Sequence, residues 1–468
     1  MPVHRKPPHP RCETDVMAWY RQCTFRDDAM PAALLVLFYI GLTCAPLVLA
    51  AVQGHAPRPL RDELASGVAL AGLAILLVEF VLSGRFRAIS GRIGMDVTMR
   101  LHQLLARAAT VMILLHPYLY AGPQSLSGRL TPPGSAALNY DWSGLWPGIV
   151  AWLLLGALMV IALGRDGLFR HEHWRAMHGL MALGVAGLGV LHATRAGRYS
   201  ADPTLAVLWW ALFAVAVFSL FWVYVIKPAM KARRPWTVSA VARVADRTWE
   251  LRLRPEGHTG LRYQPGHFAW ISVGKRAVSL DENPFSIASA PADGPDLRFV
   301  IKELGDFSNR IGGIRPGTRA YVDAPFGSLT LDRHQDAAGV ALIAGGVGIA
   351  PMLSHLRQLD ADADPRPRLL LYANRTIDQI VCDAELKART IDGPLRVTHV
   401  LSEPPENWTG ETGFVTAELI RRHFDQDALR TWVFVLCGPP PMLHAVEQAL
   451  TDLGVPPKNI LLEQFSYD

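Results

Sequence analysis

Six apolar stretches of about twenty residues fill the first half of this 468-residue chain, and each is long enough to cross a bilayer as a helix. They lie near Pro31–Val52, Leu64–Ser83, Leu101–Ala121, Gly148–Gly164, Ala176–Thr194 and Thr204–Ile226. Inside lipid every backbone N–H and C=O must find its partner within the protein, so such runs fold as packed helices. After about Ile226 the apolar runs shorten and alternate with polar, Gly-rich and Pro-rich segments. A membrane half followed by a soluble half is the expected layout.

Two of the apolar stretches carry a pair of histidines at one spacing. His102 and His116 lie in the third, and His178 and His192 in the fifth, each pair reading His-x13-His. Fourteen helical residues turn through about 1400°, close to four full turns, and rise roughly 21 Å, so each pair shares one face at two depths. Two parallel helices of this kind offer two stacked His/His clamps, the arrangement needed to hold two haems. Satisfied core histidines and a four-histidine proton relay are the competing readings. Intramembrane ionisable residues are functional candidates by default. His171 and His173 miss the matched spacing and read as interfacial.

Charge placement gives orientation. The second loop holds Arg85, Arg87, Arg92 and Arg100, and the fourth holds Arg165, Arg170 and Arg175. The third loop, Gly122–Pro147, has only Arg129 and includes Trp142 and Trp146, which could cap the outer clamp. Basic loops stay on the cytoplasmic side, which puts both termini there and makes the third and fifth helices run outward together. His102 then pairs in depth with His178 on the inner side, and His116 with His192 on the outer side. The same arginines explain the formal charge of +5 without a nucleic-acid partner. The polar N-terminal stretch, residues 1–30, is expected in the cytoplasm and uncleaved. Five cysteines show neither CxxC nor zinc spacing, so no disulfide framework is expected and the soluble half faces a reducing compartment.

In the soluble half, WTVSAVARV and FAWISV alternate as half-buried strands do, which suggests a small antiparallel barrel to about Asp332. From about Ala337 the buried strands VALIAG, RLLLYA and VFVLCG alternate with helical patterns, the signature of a parallel α/β sheet. Gly345, Gly346 and Gly348 form a strand-to-helix turn ending at Pro351, where bare backbone can approach a pyrophosphate. Cys437, Gly438 and Pro439 close a second strand at the same edge. In the barrel, His267 and Phe268 precede one strand, and Asn283, Pro284, Phe285, Ser286 and Ser289 form NPFSIAS. Lys302 and the loop Gly305, Asp306, Phe307, Ser308 offer charge and backbone N–H groups to phosphate. Each piece alone is also explained as an ordinary loop or core residue.

Taken in this order, PGHF, NPFSIAS, GDFS, GGVGIAPM, CGPPPM and a late aromatic, Phe465, resemble the ferredoxin-reductase fold. Joined to a six-span, four-histidine membrane half, they resemble the NADPH oxidase and ferric reductase superfamily, in its minimal prokaryotic type. The resemblance implies a multi-domain membrane protein. A six-helix haem bundle (31–228) would be followed by an antiparallel β-barrel FAD domain (235–332) and an α/β NAD(P)H domain (337–468). It implies His102, His116, His178 and His192 as axial ligands of two b-type haems. Phe285, Ser286 and Ser289 would hold the flavin ring, with His267 and Phe268 nearby. Gly345, Gly346, Gly348 and Pro351 would cradle the nucleotide, and Cys437 and Gly438 would border the nicotinamide. Phe465 would stack on the flavin and move aside for hydride transfer. Arg375 could bind a 2′-phosphate and favour NADPH, with NADH also admitted; a plain surface arginine is the alternative. Arg100, Arg107, Arg175 and Arg195 could pair with haem propionates, or serve only as loop charges.

Two positions depart from the family pattern. Asn283 stands where the oxidases usually carry histidine, and Ser466, Tyr467 and Asp468 follow the late aromatic. Tyr467 could therefore share the stacking role. No EF-hand loop is present in the sequence, so calcium control and an obligatory regulatory subunit are not expected.

A hydride is a two-electron unit and a haem takes one electron, so flavin is the natural adaptor. The expected route is NADPH, FAD, the inner haem, the outer haem, then an acceptor outside a bacterial inner membrane. O2 giving superoxide is the first expectation for the acceptor. A ferric chelate or a periplasmic redox partner are alternatives. A transporter or proton channel with a fused reductase, and a reductase with a plain membrane anchor, are readings of a different class.

Overall fold

The computed structural model describes residues 29–82, 86, 95–120, 142–165, 171–391 and 393–463. Among the described residues, six long helices come first: α1 (Ala29–Val52), α2 (Leu60–Leu82), α3 (Met95–Tyr120), α4 (Trp142–Leu163), α5 (His171–Ala196) and α6 (Pro203–Ala232). Five of them have the length and apolarity of membrane spans. The exception is α3, whose 26 residues suffice in length but whose Arg100, His102, Gln103, Arg107 and His116 dilute its apolarity. Large apolar side chains such as Leu37, Phe38, Val160 and Val207 face outward, as a lipid-covered surface requires.

The bundle is built around α2, the span with the largest buried share. Small residues set its distances. A Cβ at Gly72 would meet the Ile113 side chain at 2.9 Å, so α2 and α3 approach as closely as only glycine allows. Ala65, Ala74 and Ala186 are fully buried, and Trp209 fills the gap between α2, α5 and α6, donating to Ser200 Oγ at 3.0 Å. Asp202 caps α6 by accepting from Thr204 N at 2.9 Å, with Pro203 in the first turn, where its missing N–H costs nothing. Near its other end α6 passes through a π-turn at Trp222–Ile226.

The structure changes one boundary that bears on the site. Trp142 and Trp146 belong to the first turns of α4 and not to the preceding loop, so they do not cap the histidine clamp as loop residues. Their side chains are exposed, Trp142 at 69 %, in the manner of an interfacial aromatic belt. Residues 1–28, the loop arginines Arg85, Arg87, Arg92, Arg129 and Arg170, and residues 464–468 with Phe465 and Tyr467 lie outside the described residues.

The barrel follows within four residues of α6. Its strands are β1 (Trp236–Ala245), β2 (Thr248–Pro255), β3 (Phe268–Val273), β4 (Asn283–Ser286), β5 (Leu297–Lys302) and β6 (Arg319–Phe326). They pair antiparallel in the order β4-β3-β6-β1-β2-β5, and an Ile287–Phe299 bridge joins the two ends into a closed ring. Leu251, Leu253, Ile271, Ile287 and Phe299 fill its interior.

The last unit is a parallel sheet ordered β10-β9-β8-β7-β11-β12. These strands are β7 (Val340–Gly345), β8 (Arg368–Asn374), β9 (Leu395–Leu401), β10 (Glu411–Thr412), β11 (Val433–Cys437) and β12 (Ile460–Leu462). Both β7 and β11 are buried throughout, because helices cover both faces. The helix α7 (Ile349–Ala361) packs on one side with α8 (Asp383–Ile391). On the other lie α9 (Ala417–His423), α10 (Gln426–Thr431) and α11 (Pro440–Asp452). The expected plan of helical membrane region, antiparallel flavin-type barrel and α/β nucleotide unit is the one observed.

Candidate functional site

The four histidines meet in two pairs, as their spacing requires. The rings of His102 and His178 have centroids 6.3 Å apart, and those of His116 and His192 are 6.4 Å apart. A metal–imidazole bond of roughly 2.0–2.1 Å, plus about 1 Å from nitrogen to ring centre, would put two imidazoles sharing one metal ion roughly 6 Å apart, the separation each pair has.

The far sides of three of the rings are held by hydrogen bonds at Nδ1. His116 Nδ1 donates to Ile113 O at 2.6 Å. That carbonyl is free because Pro117, four residues on, has no N–H to donate to it. His192 Nδ1 donates to Gly144 O at 2.8 Å. One turn further along α4, a Cβ at Gly148 would lie 2.6 Å from the His192 ring, so α4 presents a bare backbone shelf to that imidazole. His102 Nδ1 lies 2.6 Å from Glu79 Oε2, and Tyr39 OH donates to Glu79 Oε1 at 3.1 Å. His178 packs on Trp174 with ring centroids 5.0 Å apart. Where Nδ1 carries the proton, Nε2 is left as the lone-pair donor a metal needs.

A cavity of about 730 Å³ opens beside His116 and His192. Leu73, Trp152 and Gly189 give it apolar walls, while Ser66, Tyr120, Arg198 and Tyr199 line the end where α2 begins and α3 and α5 finish. That size is within the range of cofactor pockets.

Barrel and bundle meet beside the other pair. Phe268 is fully buried, stacks near Phe326 at 5.8 Å and packs on Met99, one helical turn before His102. Arg175, one turn before His178, donates to Leu280 O at 3.3 Å and lies 3.6 Å from Glu282. Lys231 pairs with Glu282, and Lys227 lies 3.2 Å from Asp323. Phe268 thus lies in the junction between the two units, where its ring closes the gap to α3. Arg175 faces the barrel, where an acidic partner stands. Arg195 donates to Ser143 O at 3.4 Å.

The expected flavin residues run along β4 and its neighbours at the seam where the barrel closes. Asn283, Pro284, Phe285 and Ser286 form β4 and are half-buried. Phe285 lies against Phe307, ring centroids 5.8 Å apart, and Asn283 Nδ2 donates to Asp281 at 3.3 Å. Ser289 is fully buried, its Oγ accepts from Arg298 N and shares a 3.0 Å contact with Tyr263 OH, and Ser354 of α7 donates to its carbonyl at 2.6 Å. A hydroxyl used this way braces barrel against nucleotide unit. In the GDFS loop Ser308 Oγ already accepts from the N–H groups of Leu304 and Gly305, so Gly305 has no N–H to spare for phosphate. Lys302 ends β5, half-buried beside that loop. His267 Nδ1 accepts from Gln264 N at 2.9 Å, and burial pushes its pKa down to about 4.

The two nucleotide motifs are pressed together. A Cβ at Gly348 would lie 2.1 Å from Cys437 O, and one at Gly345 would lie 2.5 Å from Met442 Sδ. Gly346 has φ +54°, a conformation that favours glycine. Pro351 is buried in the first turn of α7, and Pro439 precedes α11 and is exposed. Burial, with Glu463 nearby, pushes the Cys437 thiol up to about 12, so it is neutral at physiological pH. Arg375 is exposed and lies 3.6 Å from Glu403.

Models of three known families match successive stretches: "Ferric reductase like transmembrane component" over residues 68–189, "FAD-binding domain" over 236–314 and "Oxidoreductase NAD-binding domain" over 342–448. The chain has the architecture of the NADPH oxidase and ferric reductase family. The ferric-reductase match spans α2 to α5 and so contains Glu79 and three of the four histidines, with His192 just beyond it. Among curated relatives, NADH-cytochrome b5 reductase 1 of Meyerozyma guilliermondii is 35% identical over 167 residues, covering 34% of this chain and 57% of the relative. NADH-cytochrome b5 reductase 2 of Xenopus tropicalis is 34% identical over 209 residues, covering 43% of this chain and 63% of the relative. The chain spans about half the length of the curated relatives it matches. A solved Amycolatopsis cytochrome P450 reductase superposes with a TM-score of 0.45 at 23% identity, covering 50% of this chain and 69% of that one. In this family's terms the chain is a membrane protein that joins an apolar helical region to FAD-binding and NAD-binding domains.

Proposed function

We propose that this chain is a transmembrane oxidoreductase that carries electrons from NADPH or NADH, through FAD and two bis-histidine b-type haems, to an acceptor across the membrane, with O2 reduced to superoxide. The observation that carries this reading is the pair of stacked His/His separations, 6.3 and 6.4 Å, with Nδ1 engaged on three of the rings. When bound, FAD accepts a hydride and releases single electrons, and each haem carries one.

The chain's own residues do the rest. Gly345, Gly346 and Gly348 bare the backbone for the dinucleotide at the start of α7, with Pro351 in that turn. Cys437, Gly438 and Pro439 border the nicotinamide, and Arg375 meets a 2′-phosphate. Asn283, Pro284, Phe285, Ser286 and His267 would hold the flavin ring, and Lys302, Asp306, Phe307 and Ser308 its phosphates. Phe465, late in the chain and outside the described residues, would be the aromatic for the flavin ring. His102 with His178, and His116 with His192, would hold the two haems, and such paired ligation would favour an acceptor that takes its electron without binding iron. We place the haem bundle at 31–228, the FAD barrel at 235–332 and the NAD(P)H unit at 337–468. The reductase half faces the cytoplasm of a bacterial inner membrane, as the basic loops favour.

The test uses the full chain purified in detergent, with haem and FAD supplied, in air. NADPH-driven cytochrome c reduction is followed with and without superoxide dismutase, and spectra are recorded alongside. Sharp b-type bands on reduction, with strong inhibition by the dismutase, are the expected result. Haem reduction that the dismutase does not affect would move the acceptor to a ferric chelate or a redox protein. A chain that takes up no haem would sink the reading.

A further inference from the structure

The two histidine pairs differ in what stands behind them. Behind the pair next to the cavity, His116 and His192 each donate to a neutral backbone carbonyl, Ile113 O and Gly144 O. Behind the pair next to the barrel, His102 Nδ1 meets the carboxylate of Glu79 at 2.6 Å. Glu79 is 4 % exposed and sits in the apolar run AILLVEFVL of α2. Its other oxygen accepts from Tyr39 OH. His178 Nδ1 is buried with no hydrogen-bond partner among the described residues.

A buried carboxylate is costly, and a glutamine would hold the same ring without that cost. The charge is therefore the feature to explain. A carboxylate drawing on Nδ1–H makes Nε2 a stronger donor, and a stronger donor favours the more highly charged state of a bound iron. In a poorly polarisable interior this acts with little screening. Glu79 acts on the pair through the ligand itself, by its contact with His102 Nδ1.

We propose that Glu79 is a positioning residue that lowers the reduction potential of the barrel-side haem relative to the cavity-side haem, so that electrons run downhill away from the reductase half. This rests on the bis-histidine haem reading above. Tyr39 tempers the effect, since a hydrogen bond to Glu79 Oε1 draws charge away from His102.

The test is a potentiometric titration of the reduced haem bands in the purified, haem-loaded full chain, for wild type, Glu79→Gln and Tyr39→Phe. Two midpoints are expected in wild type. Glu79→Gln should raise the lower one by at least a tenfold change in the iron's preference, about 59 mV for a one-electron couple, and leave the upper one in place. Tyr39→Phe should move the lower midpoint further down. Unmoved midpoints in Glu79→Gln, or a shift confined to the upper one, overturn the proposal. Where Glu79→Gln does not retain haem, Tyr39→Phe decides: a fall supports the proposal and no change overturns it. A wild type without b-type bands removes the haem reading itself, and this inference with it.

Discussion

The Lys227 ammonium of α6 lies 3.2 Å from the Asp323 carboxylate of β6, and both are almost wholly out of solvent. The same ammonium sits 5.2 Å from the centre of the Phe326 ring. One buried cation thus ties the last membrane helix to the barrel by charge and by ring contact at once.

Removing one partner of such a pair strands the other charge, at a cost of about 3–5 kcal/mol, whereas replacing both with apolar side chains is often nearly neutral. Lys227→Met and Asp323→Leu should each lower the unfolding temperature of the purified protein. The double variant should recover most of the loss, as followed by thermal unfolding.

Gly148→Ala puts a methyl group 2.6 Å from the His192 ring. Either the ring or α4 must move, at about 1–3 kcal/mol. The expected outcome is one haem per chain instead of two, counted by pyridine haemochrome. The remaining haem should belong to His102 and His178.

His267 is half-buried and His355 fully buried, and loss of solvent holds each near a pKa of about 4, below the usual 6.5. The unfolded chain therefore binds more protons than the folded one between pH 6.5 and 4, and stability falls as pH drops through that window. Above pH 6.5 both are neutral in either state and contribute no pH dependence. The loss is on the order of 3 kcal/mol per histidine. Denaturant unfolding across pH 4 to 7 checks this, and His355→Leu should flatten part of the slope.

Arg375 and Glu403 lie 3.6 Å apart at the ends of neighbouring strands, both open to solvent. If Arg375 reads a 2′-phosphate, Arg375→Ala should raise the KM for NADPH about tenfold and leave that for NADH nearly unchanged. Glu403→Ala should lower the KM for NADPH, because it removes both a repelling charge and a competitor for the guanidinium. Equal changes for both nucleotides would rule the role out.

The histidine pairs are legible in the sequence because a helix face repeats with fixed rotation, and the glycine turn because a pyrophosphate needs bare backbone. Glu79 is not legible as the partner of His102, since 23 residues and a change of helix separate them. Its signal is present all the same: a lone carboxylate in AILLVEFVL is an intramembrane charge that demands a partner. Phe268 and Ser289 occupy motif positions that suggest flavin contact. Their burial depends on Met99 and on Ser354, which only the folded chain brings near. The start of α4 is hidden because Pro147 reads as a helix stop, although it stands in the second turn of a helix that begins at Trp142.

The run of α6 from Pro203 to Ala232 is unbroken, with a π-turn in place of a hinge, and three residues separate it from β1. Thirty residues of helix make a rod about 45 Å long. A barrel mounted on such a rod is not a shuttle that finds its partner by diffusion. Turnover per molecule should then be the same in dilute and in concentrated preparations, and a separately added reductase half should rescue a crippled one poorly.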